Sequence, residues 1–188
     1  MRLIRSFCLA AAFAVSLPTL LPHGAAIAAE AAGPVLVTVA GAVEKANRGP
    51  MDPFADGFLN ANNHAFQKAR TFTFADLAAL PQVEITAQAQ SWAKPVVLKG
   101  VRLADLLAAA GASSGTVTLY ALDNYGVKLD AKDLAAKDWV VGHSADGVPL
   151  AVGGRGPLWL AYDTAKSGPA SKEEEGQWVW AVYLITVE

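Results

Sequence analysis

One cysteine occurs in the 188 residues, Cys8, and it lies inside an N-terminal run that reads as a leader. A lone cysteine forms no disulfide within its own chain, so the fold must hold by packing alone. Once the leader is gone no thiolate remains to serve as a soft metal ligand. Histidine is nearly as scarce: outside the leader there are His64 and His143, without a metal-ligand spacing, and both read as surface or core side chains. Positive charge is not in excess, at 15 Lys and Arg against 17 Asp and Glu, which argues against a basic nucleic-acid surface. Asp52 and Asp56 stand beside Gly57 without the alternating oxygen ligands of a calcium loop. Ser91, Ser113 and Ser114 lack a nucleophile-elbow context and a recognisable base. Gly153-Gly154-Arg155-Gly156 has neither the lysine nor the following helix of a phosphate loop. These absences make an enzyme the weaker reading.

What is present begins with Arg2 and Arg5, an apolar stretch from Leu9 to Leu21, and Ala26-Ile27-Ala28. That order of charge, apolar core and small residues is a secretory signal peptide. The stretch is interrupted by Pro18, Pro22 and His23 and is short for a bilayer span of about 20 residues. Export with cleavage after residue 28 is therefore expected, which makes the mature protein periplasmic. Residues 29–188 then form a single domain, within the usual range of roughly 100–200 residues per domain. Loss of Arg2 and Arg5 leaves 13 basic residues against 17 acidic ones and moves the formal net charge from −2 to −4.

Val35 to Val39 reads as a first strand, and Gly41 to Arg70 as an irregular excursion with one short helix around Pro53 to Asn60. Thr73 followed by Asp76 resembles a capping box opening a small helix that stops at Pro81. Val83, Ile85 and Ala87 alternate with polar residues as in a half-buried strand. Val101 to Ala110 has the apolar stripe of an amphipathic helix, ended by Gly111. Thr116 to Tyr120 and Val127 to Leu129 flank a turn at Asp123-Asn124-Tyr125-Gly126, and Trp139 to Gly142 precedes a hairpin signal at Asp146-Gly147. Leu158 to Tyr162 and Val179 to Val187 complete the strands. Many short strands with a few helices between them predict an α+β or mainly β domain.

From Gly100-Val101-Arg102-Leu103-Ala104-Asp105-Leu106-Leu107 to Ala110-Gly111 the chain follows the pattern G-V-x-L-x-D-L-L-x-x-A-G. Ala121 to Val127, Asp146-Gly147-Val148-Pro149-Leu150 and Arg155-Gly156-Pro157-Leu158-Trp159-Leu160 follow in turn. In that order and spacing the chain resembles the sulfite-oxidase-type molybdopterin-binding family, over nearly all of the mature sequence outside Glu44 to Arg70. The resemblance implies an α+β fold, a sulfite-oxidase-type molybdopterin-binding-like domain of mainly short strands with a few helices. Catalytic members place a metal-binding cysteine where this chain has Gln88-Ala89-Gln90-Ser91-Trp92. They also hold the cofactor's phosphate with several cations, for which Arg155 and Lys172 are the candidates here. A molybdenum cofactor is accordingly not expected.

The chain is most similar to a cysteine-free, exported branch, small periplasmic pterin-binding proteins that act on a membrane-bound sensor controlling cyclic-di-GMP synthesis and breakdown. It departs from that branch in the Gly41 to Arg70 excursion, in Gln90-Ser91-Trp92 where a Thr-Pro-Trp-like run is expected, and in lacking an arginine between Glu173 and Trp178. The expected ligand is a free pterin and the expected partner the periplasmic domain of a membrane sensor. A flat pterin suits stacking on an aromatic face with a carboxylate or amide at its edge. The candidate binding residues are Trp92, Asp123, Asn124, Tyr125, Arg155 and Trp159. Trp159 and Trp180 sit in apolar runs that favour a core role over ligand contact, and Arg155 serves equally as a brace for its turn. Two alternatives stand beside this: an oxidoreductase or subunit that carries molybdopterin without a protein thiolate, and an interaction protein whose aromatics are simply core.

Overall fold

Alternation of apolar and polar residues sets most of the architecture. In the computed structural model, residues 33–112 and 115–188 are described, so the leader at 1–28 and Ser113-Ser114 lie outside the described residues. These described residues form one packed unit. The strands β1 (Val35–Gly41), β2 (Ala69–Thr73), β5 (Val117–Ala121), β6 (Gly126–Leu129) and β10 (Val182–Val187) make a five-stranded sheet in the order β2-β1-β10-β5-β6. Within it β1 runs parallel to β10, and the other neighbours are antiparallel. A second sheet joins β3 (Gln82–Ala87), β4 (Val96–Arg102) and β7 (Trp139–Ala145), with β8 (Val148–Pro149) and β9 (Trp159–Tyr162) both pairing along the far edge of β7. Side chains such as Leu98, Leu119, Val141, Trp159, Leu160 and Ile185 are fully buried in one core shared by strands of both sheets.

The helices are α1 (Gly57–Ala61), α2 (Phe74–Ala78), α3 (Leu103–Ala110), α4 (Ala131–Ala136) and α5 (Lys172–Glu175). They correct the α+β, sulfite-oxidase-type reading of the sequence. The fold is mostly strand, in two sheets, and that family's domain is not what the architecture shows. The physical reason is that the helices cannot form a layer. α3 is 8 residues long and buries Leu103, Leu106 and Ala110, whereas α1 and α2 each bury one side chain and α4 and α5 none. An element without an apolar stripe lies on a core rather than building one. The stretch Val101–Ala110 that reads as one helix is divided, its first two residues closing β4 and the rest forming α3. None of the helices among the described residues is long and apolar enough to cross a membrane.

Local chemistry agrees with the sequence where it is self-contained. Thr73 and Asp76 form the expected capping box, and Gly111 ends α3 in the left-handed region at φ 68°. Asp146 and Gly147 both have positive φ, 49° and 78°, the requirement of a type I′ hairpin between β7 and β8.

Gly100 and Gly142 face each other across β4 and β7, where the register shifts. A Cβ on Gly100 would lie 2.1 Å from the Val141 carbonyl oxygen, which is backbone and cannot swing aside. Replacing Gly100 with Ala should therefore destabilise the fold by about 1–3 kcal/mol, the usual cost of overpacking. Urea unfolding of the Gly100→Ala protein, showing a lower midpoint at unchanged slope, checks this; an unaltered midpoint would mean the two strands are not this close.

Candidate functional site

Three segments converge beyond one end of the sheets and enclose a cleft of about 600 Å³, lined by Ala121, Leu122, Asp123, Tyr125, Gly153, Gly154, Glu175, Trp178, Trp180 and Ala181. The first wall is the β5–β6 turn. Asp123 Oδ1 accepts the Tyr125 N–H at 3.0 Å, and Asn124 takes a left-handed conformation at φ 65° that asparagine tolerates. The second wall is the loop before β9, where the Gly154 and Gly156 N–H groups both donate to the Ala151 carbonyl at 3.1 Å. The third follows α5, whose capping box pairs Ser171 with Glu174.

Main-chain and side-chain bonds tie these walls together. The Tyr125 hydroxyl donates to the Gly176 carbonyl at 2.6 Å, and the Leu122 N–H donates to the Ala181 carbonyl at 3.1 Å. The Ala181 N–H in turn donates to the Arg155 carbonyl at 2.9 Å. Ala181 makes both bonds at φ 52°, a left-handed conformation that costs a Cβ-bearing residue about 1–2 kcal/mol.

Beside the cleft the Arg155 guanidinium carbon lies 4.3 Å from the Trp92 ring centroid, 4.6 Å from Trp180 and 4.7 Å from Trp159. Burial pushes the Arg155 pKa down, opposed by the charge of Glu175, and the side chain makes no ion pair among the described residues. Cation–π attraction, on the order of 0.5–2 kcal/mol per contact, takes the place of a carboxylate partner. Glu175 instead accepts the Trp92 indole N–H at 2.9 Å and the Ser91 hydroxyl at 3.2 Å. Its neighbour Glu174 accepts the Lys137 ammonium at 2.6 Å, and that ammonium sits 3.7 Å from the Tyr162 ring centroid.

The expected residues separate into groups. Asp123 and Tyr125 line the cleft. Trp92, half-buried, and Arg155 form the adjoining aromatic box, with Trp159 wholly buried beneath. Asn124 is in the turn but does not line the cleft; its Oδ1 lies 3.0 Å from His64 Nε2. The core role expected for Trp180 is overturned, since it is 44 % exposed and faces the cleft, while Trp178 at 4 % forms its floor. The sequence offers Gly153-Gly154 only as a glycine-rich run unsuited to a phosphate loop, and gives no sign of Glu175 as a lining residue or of the Lys137–Glu174 pair against Tyr162. The Ser171-x-x-Glu174 capping signature was the available signal for α5, and nothing in the sequence links Lys137 to it. Among the described residues, no group of three or more His, Cys, Asp and Glu is arranged to hold a metal ion. No protein-family model matches the chain, and no curated protein matches it.

The Lys137 ammonium and the Ser171 N–H hold Glu174 down to about 2 from an ordinary 4.5. Its contribution to stability is thus complete above about pH 4.5 and is lost as pH falls toward 2. The pair is partly exposed, so the effect should be about 1 kcal/mol or less. Thermal melts of Glu174→Gln against the parent should differ above pH 5 and converge near pH 2; a constant difference across that range would show that the charge is not what stabilises α5.

Proposed function

We propose that this protein is a periplasmic, non-catalytic receptor for a free pterin, and that it signals occupancy to a membrane-bound sensor or cyclic-di-GMP enzyme. The observation that carries this reading is the pairing of flat aromatic groups, Trp180 and Tyr125, with the Asp123 and Glu175 carboxylates around one cleft. A volume of about 600 Å³ suits a bicyclic ring with a short side chain. An aminopyrimidinone edge carries adjacent N–H donors, and a carboxylate accepts such a pair with the strength of a charge-assisted bond. Asp123 Oδ1 is engaged by the Tyr125 N–H, which orients the carboxylate at the rim and leaves Oδ2 for the ligand. Trp180 offers a face for stacking, and its opposite surroundings are stiffened by Arg155.

The lining suits an uncharged pterin better than molybdopterin. A phosphate would meet Asp123 and Glu175, while Arg155 is clasped among three indoles and Lys172 borders a separate recess with Gln90, Ser91 and Glu175. The remaining cleft groups are a phenol already donating to Gly176, indoles and backbone, a set that holds a ligand rather than transforms it.

Mass spectrometry of small molecules released from protein purified from its native periplasm, with molybdenum quantified on the same sample, tests the ligand class. A pterin without metal is the expected outcome, and molybdenum with a pyranopterin would overturn the non-catalytic reading. In titrations with 6,7-dimethyltetrahydropterin, Asp123→Ala should weaken binding by roughly 10- to 100-fold, the worth of a hydrogen bond to a charged group, and Trp180→Ala by roughly tenfold. Equal affinity in both variants would place the ligand elsewhere.

A further inference from the structure

The excursion between β1 and β2 has no part in the site as described so far, yet one of its side chains reaches the cleft wall. We infer that this excursion is a strut whose His64 positions the ligand-binding turn Leu122–Tyr125. The inference rests in part on the proposed function, because the consequence for pterin affinity follows only if the cleft is the binding site.

The excursion is internally braced, so it can transmit position. The Asp52 carboxylate accepts the Phe54 and Ala55 N–H groups, each at 2.8 Å, and the Asp56 carboxylate accepts the Asp52 N–H at 2.9 Å while pairing with Arg48. Arg48 is fastened to β2 by two main-chain bonds with Ala69, at 3.0 and 3.1 Å. From this base α1 crosses the outer face of the first sheet, where Phe58 meets the ring of Tyr183 on β10 edge-on at 5.0 Å. Leu59 and Phe66 are buried against Ala40, Ala69 and Leu184 in a small core of their own. The chain then reverses at Asn63, with φ 59°, and the His64 N–H donates to the Leu59 carbonyl at 3.0 Å.

This places the His64 ring 4.3 Å from that of Tyr120 on β5, with Nε2 3.0 Å from Asn124 Oδ1. The carboxamide oxygen can only accept, so the contact is a hydrogen bond in the His64 tautomer that carries its proton on Nε2. Asn124 is the residue that most needs fixing: it lies between Asp123 and Tyr125, both on the cleft, and holds a left-handed backbone at φ 65°. The Tyr125 hydroxyl pins the inner side of the turn to Gly176, and His64 pins the outer side. His64 is thus a positioning residue that need not touch the ligand.

Hydrogen exchange on the ligand-free protein isolates the strut, with His64→Ala and His64→Gln as variants. His64→Ala should speed exchange at the Asn124 and Tyr125 amides by roughly five- to tenfold, the worth of one hydrogen bond, while β7 amides keep their parental rates. His64→Gln, whose carboxamide can donate to Asn124 Oδ1, should restore most of the protection. Unchanged exchange at the turn in His64→Ala, or an increase spread evenly over both sheets, would overturn the inference. Titration with 6,7-dimethyltetrahydropterin should show a loss of similar size in His64→Ala with rescue in His64→Gln. If the parent protein binds no pterin, the proposed function fails and the exchange rates still decide whether His64 holds the turn.

Discussion

The guanidinium of Arg155 among three indoles is the interaction on which the functional end of this molecule depends. Its partners come from three places: Trp92 from the loop between β3 and β4, Trp159 from β9, and Trp180 from the approach to β10. The first two belong to one sheet and the third leads into the other, so the side chain joins the sheets where no strand does. A buried carboxylate partner would neutralise the charge but would also have to be desolvated itself. Indole faces attract the cation while remaining comfortable in an apolar setting. This is why the chain can hold a half-buried arginine next to its core without placing an acid inside it, and why Glu175 stays free to accept from Trp92 and Ser91 at the margin.

The cleft follows from that junction. Trp92, Trp159, Trp178 and Tyr162 continue from the Arg155 box as a run of edge-on and tilted rings, with centroid separations of 5.4 to 6.0 Å. Such pairs resist sliding because offset and edge-on contacts are favoured over face-to-face stacking. One end of the run is closed by the Lys137 ammonium over Tyr162, and the other opens at Trp180. A rigid floor of this kind lets a small number of polar groups at the rim decide what is held, since the ligand need not order the protein on arrival.

What was legible in the sequence was what is decided within a few residues. The Thr73–Asp76 capping box, the left-handed Gly111 and the Asp146-Gly147 hairpin depend on local bonds and local φ, and each stands where the residues put it. Strand positions were also readable, because Val117, Leu119 and Ala121 alternate with half-buried neighbours. The architecture was not readable in the same way. The parallel pairing of β1 with β10 joins opposite ends of the described chain, and no local pattern announces it. A resemblance carried by one helix and three turns therefore gave weight to the pieces most easily shared between folds, and suggested helices that the core does not use as a layer. Of the site, Asp123 and Tyr125 are legible because they stand in a turn, at positions the resemblance marks, and both line the cleft. The Lys137–Glu174 pairing was not, since neither residue carries a periodic or motif signal for the other.

Trp180 shows where period-two reasoning fails and why. In a continuing strand Trp178 and Trp180 would share a face. Here Trp178 is buried and Trp180 stands out into the cleft, because the segment is not a continuing strand: Val179 makes an isolated bridge to Leu160, Ala181 turns into the left-handed region, and β10 starts at Val182 with a register shift against β5. The strain at Ala181 is held in place by two bonds that face opposite walls, its N–H to Arg155 and its carbonyl from Leu122. An alanine in that conformation meets a Cβ clash that a glycine would avoid, so the surrounding bonds and packing must hold it there. The cost in stability is thus spent at the residue that sets Trp180 against Arg155. That coupling makes the aromatic box and the cleft one construction, in which moving the turn at Leu122, the loop at Arg155 or the approach to β10 displaces all three.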